Sequence, residues 1–569
     1  MPGTGNESPP SEDNGAVEDP IGEEDAQPEQ DAAPPHQDAA PTHDAMQVED
    51  ATPPKDSAAA DPPPVQDSAP PKDALPDAPP DAPPVKDAPS ADAEGGDGAS
   101  ANGIVQTDIA ISEIAIFQGV KVSLMKNGSA TTSTYASIVA GRPGILRVYV
   151  KPGSAFRSRQ VTAELTLTTA TGTVVRLLNV NITKTSTEGD LGSTMNFALA
   201  SDDLPGGTAQ FGVRLIGSTA SLSPTDPPAQ YPTNAPSAAF EAVRSAKLRI
   251  VLVPVRYDAD GTGRLPDTTA SMVEEYRKAF FETYPVSAVD VTVRTAMPWN
   301  AAIGAENGWS EVLTQVIAQR AQDGVASDTY YLGIFKPHAS FDTYCADGCV
   351  TGLAPLITNP TDASSRAGVA ISYRTDPYYL RMSLDTAVHE TGHMHGRSHV
   401  ANDGTNPDCA TPTGIDRSFP YTNGSIGSWG YGIVDKALYS PVTYSDVMGY
   451  CVDNWVSDYT FGALHGRVQA VTPLAKRISL PGGEYRFVQV SRDGNLRWGL
   501  TVNFPSAPSN NPTTVRTVDA KGTLSNITGY YYPYGDGEGG YMLVRKLDVS
   551  GKRLEIDLRG ATRTLAASQ

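Results

Sequence analysis

One stretch of eleven residues, 389–399, constrains this chain more than any other. It reads HETGHMHGRSH and contains four of the eight histidines. Residues four apart on an α-helix lie on nearly the same face, so His389 and His393 can direct two imidazoles at one metal ion. Gly396 can adopt the left-handed conformation that ends a helix, and the chain can then turn back to bring His399 to the same ion.

The spacing predicts a catalytic zinc site. Three histidine ligands leave a fourth position open for water, which is typical of catalytic rather than structural zinc. Glu390 directly follows the first ligand and can act as a general base without binding the metal. We therefore predict one Zn²⁺ held by His389, His393 and His399. His395 lies about 200° around the helix from His393 and is excluded as a ligand. A helix that carries histidines by chance is the alternative, but it does not explain His399 at the required distance.

The pattern HExxHxxGxxH resembles the extended motif of the metzincin metallopeptidases. The resemblance implies a methionine turn beneath the zinc, and Met448 in the segment YSDVMGY fits that position. In astacin- and serralysin-like metzincins, a tyrosine two residues after this methionine approaches the zinc and stabilises the oxyanion. Tyr450 has that offset. The alternatives are an ordinary core methionine and a packed core tyrosine.

Three further segments extend the resemblance to secreted bacterial metzincins. They are Trp-Gly-Tyr at 429–431, Met-Gly-Tyr-Cys at 448–451 and Trp-Val-Ser-Asp-Tyr at 455–459. The group that they resemble is related to proteases that cleave mucin-type glycoproteins. The resemblance spans residues 107–470 and is specific only around the histidines.

All four cysteines lie in the presumed catalytic region. An even number in an apparently exported protein favours disulfides. A bond between Cys409 and Cys451 would staple the loop between the zinc motif and the methionine turn, and Cys345 and Cys349 could close a small ring. A second zinc site is the alternative, but the cysteines lack a CxxC pair or companion histidines.

The first 105 residues are predicted to be a disordered tether rich in Ala, Pro and Asp. Residues 1–100 contain 24 acidic and 3 basic residues, and no aromatic residue precedes Phe117. Such a segment cannot bury enough apolar surface to offset the entropy of ordering. The rest of the chain carries 40 basic and 41 acidic residues, so the net charge of −22 belongs to the tether. No basic surface indicates a nucleic-acid partner.

Residues 106–238 are predicted to form an immunoglobulin-like β-sandwich. The segments 145–150 and 161–167 alternate apolar and polar residues, as strands do, and Gly and Pro pairs separate such segments. The module either binds a substrate or a surface, or is a spacer that packs against the enzyme. A Pro/Ala/Ser linker at 224–238 then leads to the catalytic region.

Residues 246–475 are predicted to form an α+β catalytic domain that begins with a buried strand at 248–255. Further strands are predicted at 289–293, 329–335 and 368–373. One helix is predicted over 309–322. Three more are predicted to begin at a capping box at Ser271, near Ser383, and at an N-cap at Asp458. This order resembles the N-terminal lobe of a metzincin. The resemblance implies that strand 368–373 is an edge strand, which pairs with an extended substrate.

Residues 476–569 return to short alternating strands, for example at 485–490 and 553–558, and are predicted to form a second β-sandwich. The predicted fold is therefore multidomain: a metzincin-like α+β catalytic domain flanked by β-sandwich domains, with a disordered N-terminal tail.

No stretch reaches the ~20 apolar residues of a membrane span, and no signal peptide is visible. We expect an extracellular or cell-surface bacterial protein that is a monomer. We expect its only membrane contact to be an N-terminal lipid anchor, on a cysteine that begins the mature protein where Met1 stands here. The predicted function is hydrolysis of peptide bonds in proteins or glycoproteins. The alternatives are a zinc amidase of cell-wall peptides and a surface adhesin with a vestigial zinc site.

Overall fold

The computed structural model describes residues 102–219, 227–402, 409–474, 481–537, 539–558 and 560–567. Most of the predicted tether (1–105) and part of the predicted linker (224–238) lie outside these ranges. The described chain is rich in sheet and is built from several separate sheets, which confirms a multidomain, β-rich architecture. Among the described helices, none is both long and apolar enough to cross a membrane.

The N-terminal part consists mainly of two sheets whose inner faces share one apolar core. In strand β7, Val161, Ala163, Leu165 and Leu167 are buried, as the alternating sequence predicts. The strands are β1 Ile104–Val105, β2 Ile109–Phe117, β3 Gly119–Lys126, β4 Ser129–Ala130, β5 Ile138–Val139, β6 Gly144–Pro152, β7 Arg159–Thr169, β8 Gly172–Ile182, β9 Met195–Leu199, β10 Gly207–Gly217, β11 Gln230–Tyr231 and β12 Ala238–Val243. One sheet has the order β5-β12-β10-β7-β8, and β1 and β11 also pair with β10. Because β12 runs from Ala238 to Val243, this sheet extends beyond residue 238, the predicted end of the sandwich.

The middle part is a sheet with helices on both faces. Its elements are β13 Lys247–Tyr257, α1 Ala270–Thr283, β14 Ala288–Val293, β15 Met297–Trp299, α2 Trp309–Asp323, β16 Thr329–Phe335, α3 Phe341–Tyr344, β17 Gly352–Leu353, β18 Ala367–Ile371 and α4 Pro377–Met394. The order is β14-β13-β16-β18-β17, and all neighbours are parallel except β17 with β18. Tyr330 and Leu332 of β16 belong to the core that contains α1 and α4, whereas Tyr331 belongs to the core that contains α2. Burial on both faces explains why this strand is a continuous apolar run.

Three helix starts differ from the sequence prediction. The N-cap of α1 is Thr269 rather than Ser271. Helix α4 begins at Pro377 rather than near Ser383, because the Asp376 side chain accepts a hydrogen bond from the Tyr379 N–H (3.0 Å) and proline suits the first helical position. For the helix that begins at Asp458, the capping hydroxyl is that of Ser457, which accepts from the Thr460 N–H at 3.1 Å.

The prediction that residues 368–373 form an edge strand is wrong. Strand β17 lies outside β18, and Gly352 pairs with Ala370 and Leu353 with Val369. The sequence showed no strand at β17, because two residues are too short for any periodic pattern.

After α4 the chain forms short strands and returns to the N-terminal sheets. These elements are β19 Gly430–Tyr431, β20 Leu438–Tyr439, β21 Ser445–Asp446, β22 Asn454–Trp455 and α5 Asp458–Leu474. Strand β19 pairs with β3 and extends the second N-terminal sheet, whose order is β20-β19-β3-β2-β6-β9 with β4 on β3. The Trp455 indole N–H also donates to the Gly119 carbonyl at 2.8 Å. The segment that follows the histidine motif is thus attached to the N-terminal part.

The C-terminal part is one continuous antiparallel sheet in its described residues, where the sequence predicted two sheets packed as a sandwich. Tyr541 and Leu543 of β27 pack with residues of the middle part, while Met542 and Val544 face the core of the C-terminal part itself. The elements are β23 Pro481–Val490, β24 Leu496–Ser506, β25 Pro512–Val518, β26 Leu524–Pro533, β27 Gly540–Arg545, α6 Lys546–Val549, β28 Arg553–Leu558 and β29 Ala561–Leu565, in the order β24-β23-β27-β26-β25-β28-β29. The alternation of apolar and polar residues predicts each strand but not the strand with which it pairs. The number of sheets could therefore not be predicted from the local sequence.

Candidate metal centre

The end of helix α4 brings the third histidine back to the first two. Gly396 has φ +80°, the left-handed conformation predicted for it. The Gly396 N–H donates to the His393 carbonyl (2.8 Å) and the Arg397 N–H to the Gly392 carbonyl (2.9 Å), which closes the helix end. The chain then reverses, and His399 lies beside the helix face that carries His389 and His393.

The three predicted ligands form a cluster that could hold a metal ion. The Nε2 atom of His399 lies 3.1 Å from that of His389 and 3.2 Å from that of His393. Tetrahedral zinc with Zn–N distances of about 2.0–2.1 Å requires nitrogen atoms roughly 3.3 Å apart. Both separations are close to this value, so the three side chains could hold one metal ion of this size.

The outer nitrogen of each imidazole faces a backbone carbonyl. His389 Nδ1 lies 2.8 Å from the Val447 oxygen, His393 Nδ1 2.7 Å from the Arg397 oxygen, and His399 Nδ1 2.6 Å from the Thr413 oxygen. A carbonyl only accepts, so each Nδ1 carries the proton and each Nε2 presents its lone pair to the common point. Three lone pairs that face one another cannot hydrogen-bond, and a cation between them satisfies all three.

Burial keeps the imidazoles neutral. It lowers the pKa of His389 to about 3, helped by the neighbouring His399, and lowers the pKa of His399 to about 4. The pKa of His393 also falls well below its usual value, through burial and the two adjacent rings. Neutral imidazole is the form that binds metal, so the protein does not have to give up protons from these rings at neutral pH.

Glu390 forms no ion pair with any residue that the structure describes. Its side chain is buried against β17, where a Cβ on Gly352 would lie 2.4 Å from Oε1. Oε2 is buried and has no hydrogen-bond partner among the described residues. Burial raises the pKa of Glu390 well above its ordinary value, and the charge of Asp536 raises it further. A carboxylate in this state is prepared to accept a proton.

Met448 lies against the C-terminal end of the histidine helix, at Gly392. A Cβ on Gly392 would come within 2.4 Å of Met448 Sδ. The turn is held by Asp446, a fully buried carboxylate that accepts from the Met448 N–H (2.8 Å) and the Ser457 N–H (3.0 Å). Asp446 was not predicted from the sequence. Its position two residues before Met448 was the available signal, because Asp commonly accepts from a backbone N–H two residues ahead.

Tyr450 lies at the rim of the cluster. Its ring centroid is 4.6 Å from that of His399 and 5.7 Å from that of His389, and 38% of the residue is exposed. A tyrosine in this position can point its hydroxyl towards a molecule bound at the histidines.

Both predicted disulfides are present, and they account for all four cysteines. Cys409–Cys451 joins the loop after the motif to the residue after Tyr450, with a Cα–Cα distance of 4.2 Å. Cys345–Cys349 closes a small ring. The alternative of a second, cysteine-bound zinc site is therefore wrong.

His395 points away from the cluster. Its ring stacks on that of Tyr330 with centroids 4.3 Å apart, and its Nδ1 lies 2.8 Å from the Thr391 oxygen.

The C-terminal sheet also contributes to the site, and the sequence did not predict this contribution. Residues 533–537, which we call the covering segment, pass directly over His393. A Cβ on Gly535 would lie 2.4 Å from His393 Nε2. No local pattern could have indicated this approach, because the two residues are far apart in the chain.

No protein-family model matches this sequence, and a search of curated proteins finds no match.

Proposed function

We propose that this protein is an extracellular zinc endopeptidase of the metzincin type that hydrolyses peptide bonds in proteins or glycoproteins. The main support is that three neutral imidazoles converge beside the buried carboxylate of Glu390, whose Oε2 has no hydrogen-bond partner among the described residues. A structural zinc site does not require a carboxylate that is not a ligand, whereas hydrolysis requires a general base next to the metal.

In the proposed mechanism, His389, His393 and His399 hold the zinc. When bound, zinc acts as a Lewis acid that polarises the scissile carbonyl and makes water nucleophilic near neutral pH. Glu390 accepts a proton from the attacking water and then delivers it to the leaving amine, so that one acid and one amine result. The Tyr450 hydroxyl donates a hydrogen bond to the carbonyl oxygen as negative charge develops there.

Further features support the metzincin type. Met448 packs beneath the histidine helix, as the methionine turn of that family would, and five parallel strands with one antiparallel outer strand precede the helix. We also propose that the two N-terminal sheets form an immunoglobulin-like sandwich. Two disulfides favour an oxidising, extracellular environment.

The test is Glu390→Gln, which removes the base but keeps the shape of the side chain. Its control is Glu274→Gln, which alters a half-exposed carboxylate on α1. Each purified protein is loaded with zinc and incubated with an unfolded protein, a mucin-type glycoprotein or cell-wall peptides, with and without a chelator. We expect chelator-sensitive cleavage of protein or glycoprotein by the wild type and the control, and none by the zinc-containing Glu390→Gln variant.

Two results would contradict the proposal. Cleavage of cell-wall peptides alone would identify an amidase. Activity of Glu390→Gln within tenfold of the wild type would mean that another group transfers the proton.

A further inference from the structure

The sheet that carries the candidate site is extended by the protein's own C-terminal part. Beyond β17, residues 354–356 run antiparallel to residues of β26 and the turn after it, with Pro355 opposite Tyr534. The Leu356 N–H donates to the Pro533 carbonyl (2.8 Å), and the Gly535 N–H donates to the Ala354 carbonyl (2.9 Å). These are the hydrogen bonds that an extended peptide makes when it adds to a sheet edge.

The same segment lies on the metal ligands. The position of a Cβ on Gly535 is 2.2–2.4 Å from three atoms of the His393 ring, including Nε2. The φ of Gly535 is not in the left-handed region, so the lack of space over His393, rather than backbone conformation, excludes a side chain here.

The opposite side of the covering segment is held by the loop that positions His399. The Thr413 hydroxyl donates to the Asp536 carbonyl, while the Thr413 carbonyl faces His399 Nδ1. A Cβ on Gly414 would come within 3.3 Å of Gly537. Residues 533–537 are therefore enclosed between the sheet edge and this loop. Only 2% of the His393 surface and 6% of the Glu390 surface are exposed to solvent.

From this arrangement we infer that residues 533–537 occupy the substrate cleft and keep the enzyme latent. The inference rests on the proposed peptidase function. The covering segment makes strand-like contacts with residues 354–356 and lies over the ligands, so a substrate peptide reaches Glu390 only in the small fraction of molecules from which the segment has moved away. The wild type therefore keeps a low activity. Activation then requires displacement of the turn after β26, by a partner or by cleavage in the C-terminal part.

One polar side chain ties strand β26, which leads into the covering segment, to residues 356–359. Asn510 lies between the C-terminal and middle parts, fully buried. Its amide nitrogen donates to the carbonyls of Leu356 (3.3 Å) and Tyr531 (3.2 Å), and its Oδ1 accepts from the N–H groups of Thr358 (3.1 Å) and Asn359 (3.2 Å). Loss of this side chain loosens the contact without touching a residue of the catalytic machinery.

Two variants test the inference in the full-length protein. Asn510→Ala removes the tie on one side, and Thr413→Val removes the hydroxyl that holds Asp536 on the other. Asn503→Ala, at an exposed position of β24, is the matched control. Two quantities are measured for each protein: kcat/KM on an unfolded protein substrate, and the rate at which EDTA removes the bound zinc. Thermal unfolding and initial zinc content establish that each variant is folded and loaded.

We expect both quantities to rise about tenfold in Asn510→Ala and in Thr413→Val, and to stay at the wild-type level in the control. A two-state population shifts by roughly that factor when one buried hydrogen-bonded contact is lost.

Other outcomes separate the two hypotheses. A fall in kcat/KM with unchanged zinc removal would overturn the inference, because the segment would then be a wall of the working cleft. Unchanged values of both quantities in two folded variants would overturn it as well. Faster zinc removal from the two variants, with no hydrolysis by the wild type or by any variant, would contradict the proposed peptidase function. It would still support the conclusion that residues 533–537 cover the metal site.

Discussion

Gly392 and Met448 are in such close contact that the helix has no room for even a methyl group. A Cβ on Gly392 would lie 2.4 Å from Met448 Sδ. In an isolated helix, Gly→Ala gains about 1 kcal/mol. Overpacking a buried contact costs about 1–3 kcal/mol. We therefore expect Gly392→Ala to lower the thermal unfolding midpoint and to weaken zinc binding, because a shift of Met448 disturbs the turn whose Val447 carbonyl holds His389.

Gly466 provides the control for this comparison. It lies in helix α5, is exposed, and has no atom near the position of a Cβ. Gly466→Ala should raise the free energy of unfolding by up to about 1 kcal/mol, the intrinsic helix preference. If Gly392→Ala stabilises the protein equally, the contact with Met448 does not restrict the helix.

Removal of one ligand should empty the metal site. His393→Ala leaves two imidazoles, and we expect near-complete loss of zinc by elemental analysis after dialysis. His338→Ala changes an exposed histidine and should retain one zinc per chain. Full zinc occupancy in His393→Ala would show that the ion binds elsewhere.

Tyr450→Phe separates a catalytic tyrosine from a packed one. The ring lies beside His399 and His389, so the hydroxyl can reach the developing oxyanion. Loss of one such donor costs on the order of 3 kcal/mol, or ~100-fold in kcat, while KM and zinc content stay nearly constant. Tyr378→Phe, at an exposed position, is the control. A rate for Tyr450→Phe within about threefold of the wild type would refute the oxyanion role.

The two disulfides should contribute unequally to stability. Cys409–Cys451 spans 42 positions and Cys345–Cys349 only 4. By loop entropy, the first restricts the unfolded chain by about 4 kcal/mol and the second by about 2 kcal/mol. We expect Cys409→Ser/Cys451→Ser to lower the thermal midpoint more than Cys345→Ser/Cys349→Ser. An equal effect of the two double variants would mean that local strain or packing outweighs loop entropy.

The sequence was sufficient to predict those features that depend only on neighbouring residues. The helical repeat places His389 and His393 on one face whatever surrounds them, and Gly396 ends the helix because its backbone alone permits the left-handed turn. Strand β16 matches residues 329–335 because burial on both faces produces a continuous apolar run. The cysteine pairs were also predicted, because Cys409 and Cys451 flank one loop and Cys345 and Cys349 are only four positions apart.

Only the tertiary structure decided which distant segments meet. Strand β17 lies outside β18, Asp446 braces the methionine turn, and Gly535 lies over His393. A strand's alternation specifies which side chains face inwards but not which backbone edge it joins, because every N–H and C=O offers the same hydrogen bonds. The residues of the zinc site could therefore be read from one short motif, whereas its covering by residues 533–537 depends on contacts between parts of the chain more than a hundred residues apart, which no local pattern encodes.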